Sequence, residues 1–243
     1  MDAIQLYTLR EIDAPVTELL ERVSEAGFDG VEYAYRVPEA DPEAVRDALA
    51  ETGLRVPAAH VPIEDLEGDL EATVDRYRDL RCERLVVPYL DDEHFADEES
   101  VTETAERLEA LADRLDEHDV PLLYHNHDAE FTELAGGTAF DTLVAETQTL
   151  DFELDVGLAA SAGTDPAELI ESYGGRIELL HCTDADFDDP DPAHVSFGEG
   201  DVDYGAVFDA AADAGIEWYV YENGSTDEPA AELAHAGERF VRR

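Results

Sequence analysis

The chain is expected to fold as one closed (β/α)8 barrel spanning residues 1–243. Three observations carry that expectation: its length of 243 residues, eight short β-rich runs, and amphipathic acidic segments between those runs. No Pro/Gly/Ser-rich linker or break in composition offers a place to divide it into two smaller domains, and a hydrophobic content of 44% belongs to a globular chain.

The runs are Ala3–Thr8, Gly30–Tyr33, Arg55–His60, Arg84–Tyr89, Val120–His127, Asp151–Asp155, Glu178–Asp184 and Glu217–Glu222. Between them, apolar residues recur at three- and four-residue spacing, as in Val16, Leu19, Leu20 and Val23 or Leu108, Leu111 and Leu115, which is the period of a helix with one buried face. Helix stops are legible as Ala26-Gly27, Thr52-Gly53 and Ala214-Gly215, ahead of the second, third and eighth runs. No GxGxxG follows the first run and no GxxxxGK[ST] occurs, so the nucleotide-binding open sheets lose their main support. Eight βα units in this length therefore favour a single TIM barrel.

Charge is the extreme feature of the composition. Asp and Glu number 62 against 15 basic residues, all of them Arg, for a formal net charge of −47. Such a chain repels itself in dilute buffer, and salt screens that repulsion. The composition resembles that of haloarchaeal proteins, and a surface adapted to a saline cytoplasm accounts for it; a basic ligand or partner is the alternative. With no Arg-rich stripe to neutralise phosphates, nucleic-acid binding is not expected. The lack of Lys removes Schiff-base catalysis. The acidic runs Asp91-Asp92-Glu93 and Asp97-Glu98-Glu99 read as solvated faces. Cys82 and Cys182 suit neither a disulfide framework nor a CxxC zinc site and read as reduced, buried thiols. There is no signal-peptide h-region and no apolar run long enough to span a membrane, so a soluble, cytoplasmic location is expected.

In a barrel, the C-terminal strand ends and the loops that follow them form the active face. His60 ends the third run, His125 and His127 end the fifth, and His181 lies near the end of the seventh; Asp155 and Glu222 end the sixth and eighth, and Glu32 lies on the second. Residues two apart on a strand share a face, so His125 and His127 point one way while Tyr124 and Asn126 point the other. A lone histidine at a strand end is commonly structural. Imidazoles and carboxylates converging from several strands, however, make a site for one divalent metal ion: Mn2+, Mg2+ or Zn2+. A serine hydrolase would need a GxSxG elbow, which is absent. Cys182 adjoins His181 but faces the opposite way, so the two are not a thiolate–imidazole pair.

The segments Gln5-Leu-Tyr-Thr-Leu-Arg10, Gly27-Phe-Asp-Gly-Val-Glu32, Tyr124-His-Asn-His-Asp128 with Glu130-Phe131, Leu154-Asp-Val-Gly157 and Phe197-Gly-Glu-Gly-Asp201 together resemble the xylose isomerase-like barrel superfamily. Within it, the resemblance is to the sugar phosphate isomerase/epimerase group with a YHNHD-type fifth strand. The resemblance implies metal ligands His125, Asp155, His181 and Glu222, with His127 competing for the place of His125. It also implies a substrate-binding acid at Glu130 and substrate contacts from Tyr7, His60 and His127; His60 also reads as a structural residue. Thr183 stands where the group commonly carries a Lys, a departure that bears on any phosphate or substrate contact made there. The resemblance also implies that the chain is shorter than several relatives, so a C-terminal lid or oligomerisation element is expected to be missing, and a homo-oligomer stays open. The Phe197–Asp201 run reads equally as a substrate-facing loop or as a glycine turn before the next helix.

The function implied is a metal-dependent isomerase or epimerase of a small sugar or keto-sugar acting through an enediolate. Glu222, Glu32, His127 and Glu130 stand unranked as proton carriers. A lyase acting on an inosose or a 3-keto-glycoside is the alternative, since it begins with the same α-proton abstraction. A pocket without Lys leans toward neutral substrates over phosphorylated ones. An endonuclease IV-like enzyme would need three zinc ions and a basic surface, and a non-catalytic sugar-binding barrel would bind no metal.

Overall fold

The computed structural model describes residues 1–34, 37–187 and 194–243. Eight parallel strands form a barrel: β1 (Asp2–Gln5), β2 (Gly30–Glu32), β3 (Ala59–His60), β4 (Leu85–Val87), β5 (Leu122–His125), β6 (Asp151–Asp155), β7 (Ile177–Cys182) and β8 (Trp218–Tyr221). From β3 to β8 each strand pairs with the next in chain order, β8 returns to pair with β1, and β1 pairs with β2. The seam between β2 and β3 is held by isolated bridges, with the Val31 amide donating to the Arg55 carbonyl at 2.9 Å and the His60 amide to the Tyr33 carbonyl at 2.8 Å.

The paired strands are shorter than most of the apolar runs. Residues 6–9 leave the sheet as a 3-10 turn, and β5 stops pairing at His125, so His127 sits in the loop above the strand. Only Asp151–Asp155 keeps both ends of its run. The difference follows from how barrels end: apolar character continues into rim loops that pack inward after the strand hydrogen bonds have run out.

Around the barrel lie α1 (Val16–Ala26), α2 (Pro42–Thr52), α3 (Ile63–Gly68), α4 (Leu70–Asp79), α5 (Glu98–Asp116), α6 (Ala139–Glu146), α7 (Val156–Ser161), α8 (Pro166–Tyr173), α9 (Tyr204–Ala214) and α10 (Pro229–Arg239). Val16, Leu19, Leu20 and Val23 are buried along α1, and Leu108, Leu111 and Leu115 along α5. The three expected stops are left-handed glycines, Gly27, Gly53 and Gly215, each beyond a helix end. Part of the acidic excess serves as caps: Asp41, Asp69, Asp97, Asp165 and Asp203 each accept a backbone N–H at a helix start. The acidic runs at 91–93 and 97–99 are exposed. Cys182 is buried, whereas Cys82 is only partly so.

Two clusters of apolar side chains result. The larger lies between strands and helices, whereas Ala3, Ala58, Val86, Leu123, Leu179, Trp218 and Val220 pack as a separate group. Every member of the second group lies on, or just before, a barrel strand. Ala3, Leu123 and Leu179 each precede by two residues a polar residue on the same face, Gln5, His125 and His181. This group is the dry floor on which the polar site stands.

Candidate metal centre

Above the floor, the inward positions turn polar. Gln5, Glu32, His125, Glu153, Asp155, His181 and Glu222 are all buried, at the C-terminal ends of six strands. His60 joins them from β3. Burying so many polar groups is costly unless each finds a partner, and most do.

The lower tier is closed by short contacts. Glu32 Oε2 accepts from Gln5 Nε2 at 2.8 Å and from His181 Nε2 at 2.6 Å. Glu153 Oε2 accepts from His60 Nε2 at 2.8 Å and from His125 Nδ1 at 3.1 Å. The imidazole rings lie close together: His125 and His181 have centroids 4.7 Å apart, and His60 and His181 5.3 Å.

The upper tier is different. His181 Nδ1 lies 3.3 Å from Glu222 Oε2, and His125 Nε2 lies 4.0 Å from Asp155 Oδ2. His181 Nδ1 and Asp155 Oδ2 are both buried and make no hydrogen bond. Asp155, His181 and Glu222 offer ligand atoms within 4.8 Å of one another. Asp155 Oδ2 and His181 Nδ1, buried and unpartnered beside Glu222, are donors of the kind a coordinated ion requires, and with His125 Nε2 near Asp155 the set of two imidazoles and two carboxylates suits Mn2+, Mg2+ or Zn2+. The residues present therefore fit a divalent metal. His60, His125, Glu153 and His181 also lie within coordinating reach of one another, but their facing atoms are already joined by the hydrogen bonds of the lower tier.

Asp155 is prepared for such a role. It ends β6 and caps α7, its Oδ1 accepting from the Leu158 amide at 2.8 Å and from the Thr183 hydroxyl at 2.6 Å, which leaves Oδ2 turned inward. Asn126, facing away from His125 and His127, clips β5 to β6 by accepting from the Asp155 amide at 2.9 Å. A Cβ on Gly157 would come within 2.2 Å of Thr183 Oγ1, so the glycine after Asp155 makes room for that hydroxyl. Thr183 thus acts on Asp155.

Electrostatics follow from burial and crowding. Burial opposes ionisation of Glu222, but the His181 contact and the surrounding imidazoles outweigh it and bring its carboxyl down to about 2. Burial raises Asp155. His181 is lifted well above the usual imidazole value: burial opposes its charge, but the Glu153 and Glu32 carboxylates prevail. Burial, reinforced by neighbouring imidazoles, holds His125 well below that value, and burial also lowers His127.

A pocket of about 510 Å³ opens onto this cluster, lined by Gln5, Tyr7, His60, Tyr89, His125, His127 and Glu222 among others. Tyr7 (39% exposed) and Tyr89 (48%) stand at its mouth, and the Tyr89 ring meets His127 edge-on at 5.2 Å. His125 and His127 share a face as the alternation requires, with ring centroids 5.2 Å apart, but it is His125 that reaches Asp155.

Four of the expected site residues do not line the pocket: Asp155 and His181, fully buried beneath it, and Glu32 and Glu130. Glu32 sits beneath His181 and does not line the pocket. Glu130 is buried beside the pocket with both oxygens occupied: Oε1 takes the Tyr124 hydroxyl in a short contact, and Oε2 the His127 amide at 2.8 Å. Burial pushes Glu130 up to about 7. The Phe197–Asp201 run wraps the buried Asp184, whose Oδ2 accepts the Gly198 and Gly200 amides at 2.8 and 3.1 Å. A Cβ at Gly200 would meet that carboxylate at 2.2 Å, so the glycines serve this turn.

Glu153, Asn126, Tyr89 and His194 were not singled out from sequence. Glu153 had a signal, since it lies two residues before Asp155 on one strand and so shares its face. His194, whose Nδ1 accepts the Gly224 amide at 3.0 Å two residues beyond Glu222, had none.

An eight-stranded parallel barrel with a His/carboxylate cluster at its C-terminal rim defines a class of α/β enzymes. The chain belongs to the xylose isomerase-like TIM barrel family, whose model matches residues 20–243. It is 23% identical to an inosose dehydratase of Lacticaseibacillus casei, over 84% of this chain and 80% of that one. Among solved structures it resembles a sugar phosphate isomerase/epimerase from Parabacteroides distasonis, with 19% identity, a TM-score of 0.84, and 100% and 98% of the two chains covered. It also resembles an L-ribulose 3-epimerase (18%, TM-score 0.74, 99% and 95% covered) and a probable 3-DHS dehydratase from Bacillus anthracis (15%, TM-score 0.78, 99% and 98% covered). At these identities the structural likenesses establish the fold. Among the described residues, no helix is long and apolar enough to cross a membrane.

Proposed function

We propose that the protein is a divalent-metal-dependent isomerase or epimerase of a small, neutral sugar or keto-sugar, with His125, Asp155, His181 and Glu222 as the metal ligands. The observation that carries this reading is the unpartnered pair His181 Nδ1 and Asp155 Oδ2, facing Glu222 at the floor of an open pocket. A bound divalent ion would polarise a substrate carbonyl and its neighbouring hydroxyl and so favour loss of the α-proton as an enediolate develops.

The chain's own residues supply the proton chemistry. Glu222 remains ionised through the neutral range, and His127, lowered by burial, stays neutral; both face the pocket, from positions separated by β6 and β7. Epimerisation needs a proton removed from one face of a carbon and returned to the other, and two carriers on different sides of one pocket suit that need. Glu32 and Glu130 are less suited: one lies below His181 and the other has both oxygens bound. His60, Tyr7 and Tyr89 line the way in, with the tyrosine rings offering apolar surface to a sugar's C–H face. Among the described residues no Arg lines the pocket, which favours neutral substrates over phosphorylated ones.

The likeness to an inosose dehydratase supports a second reading, in which the same proton abstraction is followed by loss of a β-substituent. One experiment separates the two. Mn2+-loaded protein is incubated in D2O with a panel of ketoses, 2-keto-inositol and 3-keto-glycosides and followed by NMR. Deuterium at the α-carbon together with an epimer or aldose product supports the isomerase. Loss of water or of the glycosidic substituent supports the lyase, and no exchange on any substrate overturns both.

A further inference from the structure

The lower tier of the site contacts no substrate-facing surface in the case of Glu153 and Glu32, yet it holds two carboxylates buried completely. Two such groups are retained only if something depends on them. A carboxylate oxygen only accepts, so each ring nitrogen hydrogen-bonded to one must carry a hydrogen, whereas His181 Nδ1 makes no hydrogen bond to the carboxylate beside it. His125 therefore holds its proton on Nδ1, toward Glu153, and His181 holds one on Nε2, toward Glu32. The same rule extends outward: His60 donates from Nε2 to Glu153, which leaves its Nδ1 free to accept from Gln5 Nε2 at 3.2 Å.

As a metal ligand each imidazole is neutral, with one proton and one lone pair. With the protons fixed below, the lone pairs of His125 Nε2 and His181 Nδ1 are turned upward, toward Asp155 Oδ2 and Glu222 Oε2. The two histidines thus have to adopt opposite tautomers, and nothing within the imidazoles themselves selects that combination. The geometry points to Glu153 and Glu32 as positioning residues that lock His125 and His181 in opposite tautomers, presenting both lone pairs to one divalent ion and setting the affinity for it. This inference rests on the metal-centre reading above. Carboxylates hydrogen-bonded to the far nitrogen of a ligating histidine generally raise metal affinity, by orienting the ring and increasing its basicity.

The test is Mn2+ binding to metal-free protein, followed by the electron paramagnetic resonance signal of the free ion, for wild type, Glu153→Gln and Glu32→Gln. Each variant is expected to bind about 10–100-fold more weakly. Metal-free thermal unfolding is expected to fall in both variants, because each substitution removes one partner of a buried, hydrogen-bonded pair. A role in folding alone would lower the unfolding temperature and leave the affinity of the folded protein intact. Glu153→Asp keeps the charge and should recover part of the loss. In the Mn2+-loaded variants, pulsed measurement of 14N couplings should show one imidazole weakened, that of His125 for Glu153→Gln and that of His181 for Glu32→Gln. Should one variant fail to fold, the other asks the same question through the opposite histidine. If wild type binds Mn2+ and both variants bind within twofold of it, this inference is overturned while the metal centre stands. If wild type binds no divalent ion, the metal-centre reading itself has failed.

Discussion

The barrel interior has two halves built on one alternation. Toward the N-terminal ends of the strands it is a dry floor of Ala3, Ala58, Val86, Leu123, Leu179, Trp218 and Val220; two residues further along the same strands, Ala3 gives way to Gln5, Leu123 to His125 and Leu179 to His181. The floor is held by contact and dispersion, which accept any well-fitting apolar shape. The upper half is held by specific donors and acceptors, each of which leaves another stranded if removed. Most of the buried side-chain atoms left without a partner among the described residues gather here: Asp155 Oδ2 and His181 Nδ1 in the upper tier, with His127 Nδ1, Glu32 Oε1 and Glu153 Oε1 around them.

Substitutions in the two halves should fail in different ways. The largest effect is expected from Glu222→Gln in the upper half, which should lower kcat by about 10^2–10^4-fold while leaving the circular dichroism spectrum intact. Retained turnover would remove Glu222 from the chemistry. In the floor, Leu179→Ala should cost about 2–5 kcal/mol of stability. The lone tryptophan, Trp218, lies in that same layer, so its fluorescence in a urea titration reports the loss directly, and the folded fraction should bind metal as wild type does.

Glu130 sits between these behaviours, a buried acid with satisfied hydrogen bonds whose pKa is raised from the ordinary 4.5 to about 7. A group raised on folding contributes stability fully present below its unfolded pKa and lost as pH rises through its folded one. From pH 4.5 to above 7 it should therefore withdraw ~3 kcal/mol. Denaturant unfolding at pH 5 and pH 8 should show this decline in wild type and a smaller one in Glu130→Gln; equal declines would refute the attribution. The smallest effect is expected from Thr183→Val, which takes one of two donors from Asp155 Oδ1. A roughly tenfold loss of metal affinity by calorimetry would fit the low end of such effects, and no loss would show that the Leu158 amide alone suffices.

Much of this was legible in the sequence because barrels repeat a short rule. Apolar runs located the eight strands, glycines marked three helix stops, and strand-end position put His60, His125, His127, His181, Asp155 and Glu222 at the rim, from which the family resemblance narrowed the candidate ligands. Partners were harder to see than positions. Glu130 reads like a pocket acid until its neighbours are known, and those neighbours, the Tyr124 hydroxyl and the His127 amide, are set by the loop after β5. Glu32 likewise lies on the right strand but one tier too low, because tier depends on the barrel's stagger and the stagger is not written in any one strand. Glu153 could have been found by alternation from Asp155. His194 could not, since it reaches the site through a hairpin with Asp184–Ala185 that no apolar pattern announces.

A divalent ion held in the upper tier, above the hydrogen-bonded one, would show in an anomalous-difference map from crystals grown with Mn2+. One peak is expected, bounded by His125 Nε2, Asp155 Oδ2, His181 Nδ1 and Glu222. A peak among His60, Glu153 and the far nitrogens of His125 and His181, or no peak at all, would contradict it.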